Sequence, residues 1–137
     1  MIGLDTNVLL RWLVTGDIVP DDAPEQTELV SSVILESGET FFVNHVVLAE
    51  TVWVLRNRAS QSKEVISEIV DRLLHSSNVE VDRPDVVAAA QLSFRNEPGD
   101  FADHLIGQIN GAAGCSTTLT FDHRASKSQV LFTKLSR

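Results

Sequence analysis

The clearest pattern in the chain is a stripe of apolar residues that repeats every three or four positions between residues 62 and 75. This spacing places one row of side chains on a single helical face, and it predicts an amphipathic helix over Ser62–His75. The stripe consists of Val65, Ile66, Ile69, Val70, Leu73 and Leu74. Further helices are predicted at Thr6–Val14, Glu25–Glu36, Val46–Arg56, Asp85–Arg95 and Phe101–Ala113.

Short apolar runs lie between these helices and predict strands. The runs are Ile2–Asp5, Thr40–Val43, Asn78–Val81, Ser116–Thr120 and Val130–Thr133. Strands that alternate with helices are typical of a parallel sheet covered by helices on both faces, so the pattern predicts an α/β fold. Open sheets of this kind bind their ligands at the carboxyl ends of the strands.

Composition indicates one globular domain over residues 1–137. Hydrophobic residues make up 43% of the chain and charged residues 22%, which excludes a disordered segment. Cys115 is the only cysteine, so no internal disulfide forms. No apolar run approaches the ~18 residues of a membrane span, and the first residues lack the features of a signal peptide. We therefore expect a cytoplasmic protein without a membrane partner.

The net charge favours a basic partner. Nineteen acidic residues against eleven lysines and arginines give a formal charge of −8. Such a surface repels nucleic acid in general. A cluster of carboxylates that binds divalent cations inverts the local charge, so the composition still permits a metal-dependent nuclease.

Two acidic residues stand at predicted strand ends. Asp5 ends the first strand, and Asp122 follows the strand at Ser116–Thr120. Both positions suit ligand binding at the carboxyl edge of a sheet. Each aspartate also suits a cap on the element that follows, and for either residue alone the cap is the favoured interpretation.

Glu50 is the strongest single signal of a metal site. Eight of the ten residues in 46–55 are apolar, so the sequence predicts a largely buried helix. The residues three and four positions away cannot pair with a carboxylate, and a buried unpaired carboxylate is costly. The alternatives are a distant partner or exposure of this one position.

Asp103 has two interpretations. Asp100 and Asp103 have the spacing of a capping box at the start of a helix. The same helix carries Gly107 and Gly111, and Gly114 is a plausible stop after it. Helical glycines cost about 1 kcal/mol each, so they indicate close packing or room for a ligand. Asp100 is expected to cap the helix and to support the site.

Separated acidic residues favour a hard cation. Mg²⁺ and Mn²⁺ prefer oxygen ligands, and the sequence lacks the histidine and cysteine patterns of a zinc site. His104 and His123 adjoin acidic residues and are candidates for acid–base roles. For both, a surface or supporting role is the favoured interpretation.

Four segments, taken in order, resemble PIN-domain ribonucleases of the VapC toxin type. They are residues 4–10 (LDTNVLL), 46–55 (VVLAETVWVL), 100–106 (DFADHLI) and 118–122 (TLTFD). The resemblance implies a three-layer α/β/α sandwich around a central parallel sheet. It also implies metal-dependent endonucleolytic cleavage of RNA, a homodimer, and a small cognate antitoxin of the VapB type as partner.

The resemblance assigns roles by motif. It implies that Asp5, Glu50, Asp103 and Asp122 bind Mg²⁺ or Mn²⁺, and that Thr6, Asn7 and Thr120 orient these ligands or bound water. Arg11 and Arg124 are the best-placed candidates for contact with RNA. His104 is a departure, because the family often has a small residue there, and it is expected to narrow or polarise the mouth of the site.

Two other function classes remain open from the sequence. One is another acid-metal phosphoesterase or a DNA nuclease, which differs in substrate. The other is a noncatalytic module whose acidic residues bind a basic partner. Comparison of RNA, DNA and a small phosphoester as substrates separates the enzymes, and partner binding without turnover identifies the module.

Overall fold

The computed structural model describes residues 1–14, 18–127 and 131–137, and it divides into two compact units, Met1–Asp82 and Arg83–Arg137. The described part of the first unit contains β1 (Ile2–Gly3), α1 (Thr6–Leu13), α2 (Pro24–Glu36), β2 (Phe41–Val43), α3 (His45–Asn57), α4 (Lys63–Leu74) and β3 (Val79–Val81). The described part of the second contains α5 (Pro84–Asn96), α6 (Phe101–Ala112), β4 (Thr118–Thr120), a short 3₁₀ turn and β5 (Phe132–Lys134).

The sheet of the first unit is parallel, with β2 between β1 and β3. Phe41 pairs with Ile2 on one side and with Val79 on the other. Helices connect successive strands, as parallel pairing requires. All three strands therefore end at the same edge of the sheet, where the chain continues into polar residues.

The core of the first unit forms between this sheet and its helices. Phe41 and Val43 of β2 are fully buried, and so is Leu9 of α1. The apolar stripe predicted for α4 is confirmed, because Ile66, Ile69, Val70 and Leu73 are buried on one face. Ser62 caps this helix, since its Oγ accepts a hydrogen bond from the Val65 N–H at 3.2 Å.

In the second unit, α5 and α6 pack against each other beside a parallel pair of strands. Val87 and Phe94 of α5 are buried, as are Phe101 and Leu105 of α6. The rings of Phe94 and Phe101 meet edge to face, with centroids 5.6 Å apart. Strand β4 pairs with β5, with Thr118 opposite Phe132.

The predicted α/β class and the parallel pairing of strands are confirmed. Each predicted helix forms, and each of its ends lies within one residue of the predicted position. The strands are shorter than predicted, and the predicted strand Val130–Thr133 begins at Val130, which lies outside the described residues. The single domain over 1–137 stays a prediction. None of the described helices is long and apolar enough to cross a bilayer.

The glycines of α6 differ in their surroundings. A Cβ at Gly107 would lie 3.0 Å from the Phe132 ring and 3.1 Å from the Leu131 side chain. A Cβ at Gly111 would meet nothing within 4 Å. Gly114 has a φ of +99° directly after the helix, which is the conformation expected at a glycine stop. Close packing therefore explains Gly107, whereas nothing in the fold explains Gly111.

This difference predicts opposite effects of two alanine substitutions on one helix. Gly111→Ala should raise the free energy of unfolding by about 0.5–1 kcal/mol, because alanine is the better helix former and its methyl group meets no neighbour. Gly107→Ala should not show this increase in the free energy of unfolding, because its methyl group crowds Phe132 and Leu131. Urea denaturation of both variants measures the two values, and a Gly107→Ala variant as stable as Gly111→Ala would contradict the packing.

Candidate functional site

Asp5 is an exposed carboxylate at the carboxyl end of β1, and it caps α1. Its Oδ1 accepts a hydrogen bond from the Val8 N–H at 3.0 Å. The predicted cap is therefore present. A carboxylate has two oxygens, and this cap uses one of them. The cap is thus compatible with cation binding by the same residue.

Glu50 is exposed, so the expectation of a buried carboxylate was wrong. Helix α3 buries one face, but its outward row holds Val46 and Trp53, whose exposed fractions are 66% and 55%. Glu50 lies on this row, four residues after Val46 and three before Trp53. The apolar residues around it in sequence therefore do not surround it in space. The cost of burying an unpaired charge therefore gives no argument for a metal at Glu50, but the exposed carboxylate is accessible to a cation.

The carboxyl edge of the first sheet carries further polar residues that were not predicted from the sequence. Asn44 follows β2 and caps α3 through a bond of 2.8 Å from the Val47 N–H. Asp82 follows β3, and His45 Nε2 donates to its carbonyl oxygen at 2.7 Å. Both residues share a sequence pattern with Asp5, because each is a polar residue directly after an apolar strand.

Two supporting residues predicted for this unit are not seen to act on Asp5. Thr6 is the first residue of α1 and Asn7 the second, and Asn7 is exposed. Among the described hydrogen bonds, neither side chain bonds to Asp5 or Glu50. Asn7 instead lines an open groove of about 580 Å³ with Leu10, Val19, Val54 and Arg58. Their orienting roles stay predictions.

Asp103 lies at the start of α6 and is partly buried. It forms a capping box with Asp100, in which its Oδ2 accepts a hydrogen bond from the Asp100 N–H at 3.2 Å. The predicted capping box is confirmed. Asp100 itself is exposed, so its carboxylate remains in contact with solvent.

The charge on Asp103 is unfavourable in this structure. Burial is the main cause that raises the pKa of Asp103 above its usual value, and the negative charges of Asp122 and Asp100 raise it further. The Asp100 N–H and His104 lower the pKa in opposition, but their effect is smaller. A site with excess negative charge of this kind favours the binding of a cation.

Asp122 is held in place by backbone groups. Its Oδ1 accepts from the Arg124 N–H at 2.8 Å and from the Ala125 N–H at 3.3 Å. The Asp122 N–H donates to Thr120 Oγ1 at 2.9 Å. Thr120 therefore fixes the backbone that carries Asp122, which agrees with a supporting role. As at Asp5, these bonds use one carboxylate oxygen.

The two arginines suggested for RNA contact differ in their surroundings. The Arg11 guanidinium is mostly buried and lies 3.1 Å from the Asp22 carboxylate, with Asp21 at 3.9 Å. These bonds connect Arg11 to the loop before α2, and its contact with RNA stays a prediction. Arg124 is exposed beside Asp122 and stays a candidate.

The two candidate histidines, His104 and His123, also differ in their surroundings. His123 is exposed, as a surface role predicts. His104 is buried between α5 and α6, with 1% of its surface exposed, so the expectation that it shapes the mouth of the site was wrong. Its ring bonds to Ser93 and to the Pro98 carbonyl. The sequence alone gives no indication of these partners, which lie six and eleven residues away.

The donor groups suit Mg²⁺ or Mn²⁺ chemically, because all four predicted ligands offer carboxylate oxygens. Within the described residues of either unit, no three His, Cys, Asp or Glu side chains lie close enough to hold a metal ion. Asp5 and Glu50 belong to the first unit, and Asp103 and Asp122 to the second. The four-residue ligand set stays a prediction.

The raised pKa of Asp103 predicts how stability depends on pH. Because folding raises this pKa, the folded chain binds the proton more tightly, and the ionised carboxylate lowers stability above the raised pKa. This penalty disappears as the pH falls below the usual value of 3.8. In EDTA, Asp103→Asn should therefore unfold at a higher temperature than the parent at pH 7, and the difference should shrink toward pH 3.5.

The exposed Glu39→Gln variant is the control, because it removes one negative charge from the chain without touching Asp103. Calorimetry of the three proteins over this pH range measures the effect. An Asp103→Asn variant less stable than the parent at pH 7 would contradict the electrostatic assignment.

Comparison with known proteins agrees with these features. The profile of the PIN domain family matches residues 2–130. The chain is also 27% identical to a VapC ribonuclease of Aquifex aeolicus (strain VF5) over 124 residues, which cover 90% of this chain and 89% of the relative. Asp5, Glu50, Asp103 and Asp122 all fall within the range that the profile matches. The chain therefore belongs to the PIN domain family.

Proposed function

We propose that this protein is an endoribonuclease that hydrolyses RNA phosphodiester bonds with Mg²⁺ or Mn²⁺. The observation that carries the proposal is the match of the PIN domain profile to residues 2–130, a range that contains Asp5, Glu50, Asp103 and Asp122. Among these, Asp103 is a partly buried carboxylate whose charge is opposed by burial and by Asp122 and Asp100. A carboxylate in this setting is stabilised by a bound cation. Similarity to a VapC ribonuclease supports RNA as the substrate.

Each proposed ligand has an oxygen available for a cation. Asp5 and Asp122 each use Oδ1 for backbone hydrogen bonds, and Asp103 uses Oδ2. In each of these carboxylates the hydrogen-bonded oxygen is fixed, and this also fixes the direction of the second oxygen. Glu50 is exposed on α3 and contributes a longer, more adaptable side chain.

A divalent cation bound by these residues would polarise the scissile phosphate and lower the pKa of a water molecule. The chain itself contributes the orientation of the carboxylates, through the caps of α1 and α6 and through Thr120. Arg124 is placed next to Asp122 in an exposed position, where its charge can contact a phosphate of the substrate.

The proposed nuclease activity predicts metal-dependent cleavage of RNA that requires the four acidic residues. The parent protein should cut tRNA or another structured RNA into discrete fragments with Mg²⁺ or Mn²⁺ and should be inactive in EDTA. Asp5→Asn, Glu50→Gln, Asp103→Asn and Asp122→Asn should each lower the rate by about 100-fold or more, because each removes a charge that holds the cation. Gel analysis of end-labelled RNA measures the rates.

Glu39→Gln is again the matched control and should cleave at the parent rate. Single-stranded DNA and a small phosphoester, tested in parallel, distinguish this activity from a DNA nuclease and from a general phosphoesterase. Activity that persists in EDTA, or in all four variants, would contradict the proposed site.

We further propose that the protein acts as a toxin restrained by a small basic antitoxin of the VapB type. The formal charge of −8 favours a basic partner. The groove of about 580 Å³ beside α1 offers apolar contacts at Leu10, Val19 and Val54. Homodimer formation stays a prediction.

The toxin role predicts growth arrest. Induction of the parent protein alone in a bacterial host should stop growth, whereas Asp103→Asn and Asp122→Asn should permit it at equal protein levels. Optical density and immunoblots of the same cultures provide the measurement. Normal growth with soluble parent protein at a high level would count against this role while leaving the nuclease proposal intact.

A further inference from the structure

The imidazole of His104 connects two parts of the second unit. Its Nε2 lies 3.0 Å from the carbonyl oxygen of Pro98, and its Nδ1 lies 2.9 Å from Ser93 Oγ on α5. A carbonyl oxygen only accepts, so Nε2 carries the proton and donates it. In the neutral ring Nδ1 then accepts from the Ser93 hydroxyl. The partners thus assign the tautomer of a fully buried histidine.

The Pro98 carbonyl belongs to the turn that leads into α6. The next residue, Gly99, has a φ of +111°, and Asp100 then caps the helix. A Cβ at Gly99 would lie 3.3 Å from His104 Nε2 and 3.8 Å from Asp103 Oδ2. The Cβ position of Gly99 is therefore close to both the imidazole ring and the Asp103 carboxylate, and glycine is required both by the φ and by the limited space.

The same turn fixes Asp103. The Asp100 N–H donates to Asp103 Oδ2, and this bond selects which carboxylate oxygen stays available. The orientation of that N–H depends on the peptide planes at Pro98 and Gly99. The bond from His104 to the Pro98 carbonyl holds the first of these planes. A continuous path of contacts thus runs from the ring of His104 to the carboxylate of the preceding residue.

We propose that His104 is a positioning residue that fixes the Asp103 carboxylate for metal binding through the Pro98–Asp100 turn. The inference rests on the proposed function, because it takes Asp103 as a metal ligand. The competing interpretation is that His104 only fills space beside Phe94, whose ring centroid lies 6.2 Å away. The two interpretations differ in whether the Nε2–H donor is needed.

Three substitutions separate these interpretations. Glutamine places its amide N–H near the position of Nε2 and keeps the bond to Pro98. Asparagine reaches only the position of Nδ1, so it keeps the contact with Ser93 and loses Pro98. Leucine fills the space without any donor. A positioning role predicts that His104→Gln resembles the parent, whereas His104→Asn and His104→Leu lose function.

The readouts are Mn²⁺ affinity by calorimetry, hydrogen exchange of the Asp100 amide in the metal-free protein, and RNA cleavage. The asparagine and leucine variants should bind Mn²⁺ at least about tenfold more weakly, the usual effect of losing a group that orients a metal ligand. Exchange at Asp100 should be faster in both. The glutamine variant should stay within about threefold of the parent in affinity and in cleavage.

Val87→Ala is the control for stability, because it opens a fully buried position of α5 in the same unit without touching the turn. It should unfold at a lower temperature and bind Mn²⁺ as the parent does. All proteins are compared well below their own midpoints of unfolding.

The outcomes are distinct. Parent-like Mn²⁺ affinity and Asp100 exchange in His104→Leu would overturn the inference and leave His104 as packing. Equal losses in the glutamine and asparagine variants would also overturn it, because the Nε2–H donor would then not be the relevant group. A parent protein that binds no Mn²⁺ would instead mark the failure of the proposed function.

Discussion

The hydrogen bond between a carboxylate and a backbone N–H at a chain reversal is the interaction on which the candidate site depends. Asp5, Asp103 and Asp122 each form one. A cap and a metal ligand are alternatives when only the sequence is considered. In the structure they are compatible, because the cap occupies one oxygen and orients the other. The bonds that begin the helices therefore leave one oxygen of each carboxylate available to the proposed cation.

Features that depend on residues close together in the chain are the ones that the sequence predicts correctly. The α4 stripe, the Asp100–Asp103 capping box and the glycine stop at Gly114 are local patterns, and each appears in the structure as predicted. Their partners lie within a few residues. The parallel strands follow equally well, because their alternation with helices leaves few other arrangements.

The predictions that were wrong depended on contacts between distant residues. Glu50 lies in an apolar segment, yet α3 turns the row that contains it outward. Arg11 binds Asp22 and Thr27, eleven and sixteen residues away, which its sequence neighbours do not indicate, and its contact with RNA stays a prediction. His104 is buried by α5, which the pattern of α6 alone does not reveal. Caps and strand-end aspartates are thus readable from the sequence, whereas burial and long-range contacts are not.

The turn at Gly99 brings a conformational and a steric constraint together at positions 99 and 104. Any side chain at Gly99 is opposed by its φ of +111° and by the imidazole 3.3 Å from the Cβ position. A homologous chain with a small residue at position 104 loses the donor to the Pro98 carbonyl but gains space beneath the turn. Removal of the imidazole would therefore relieve the steric opposition to a side chain at position 99, whereas the strain of the φ of +111° would remain.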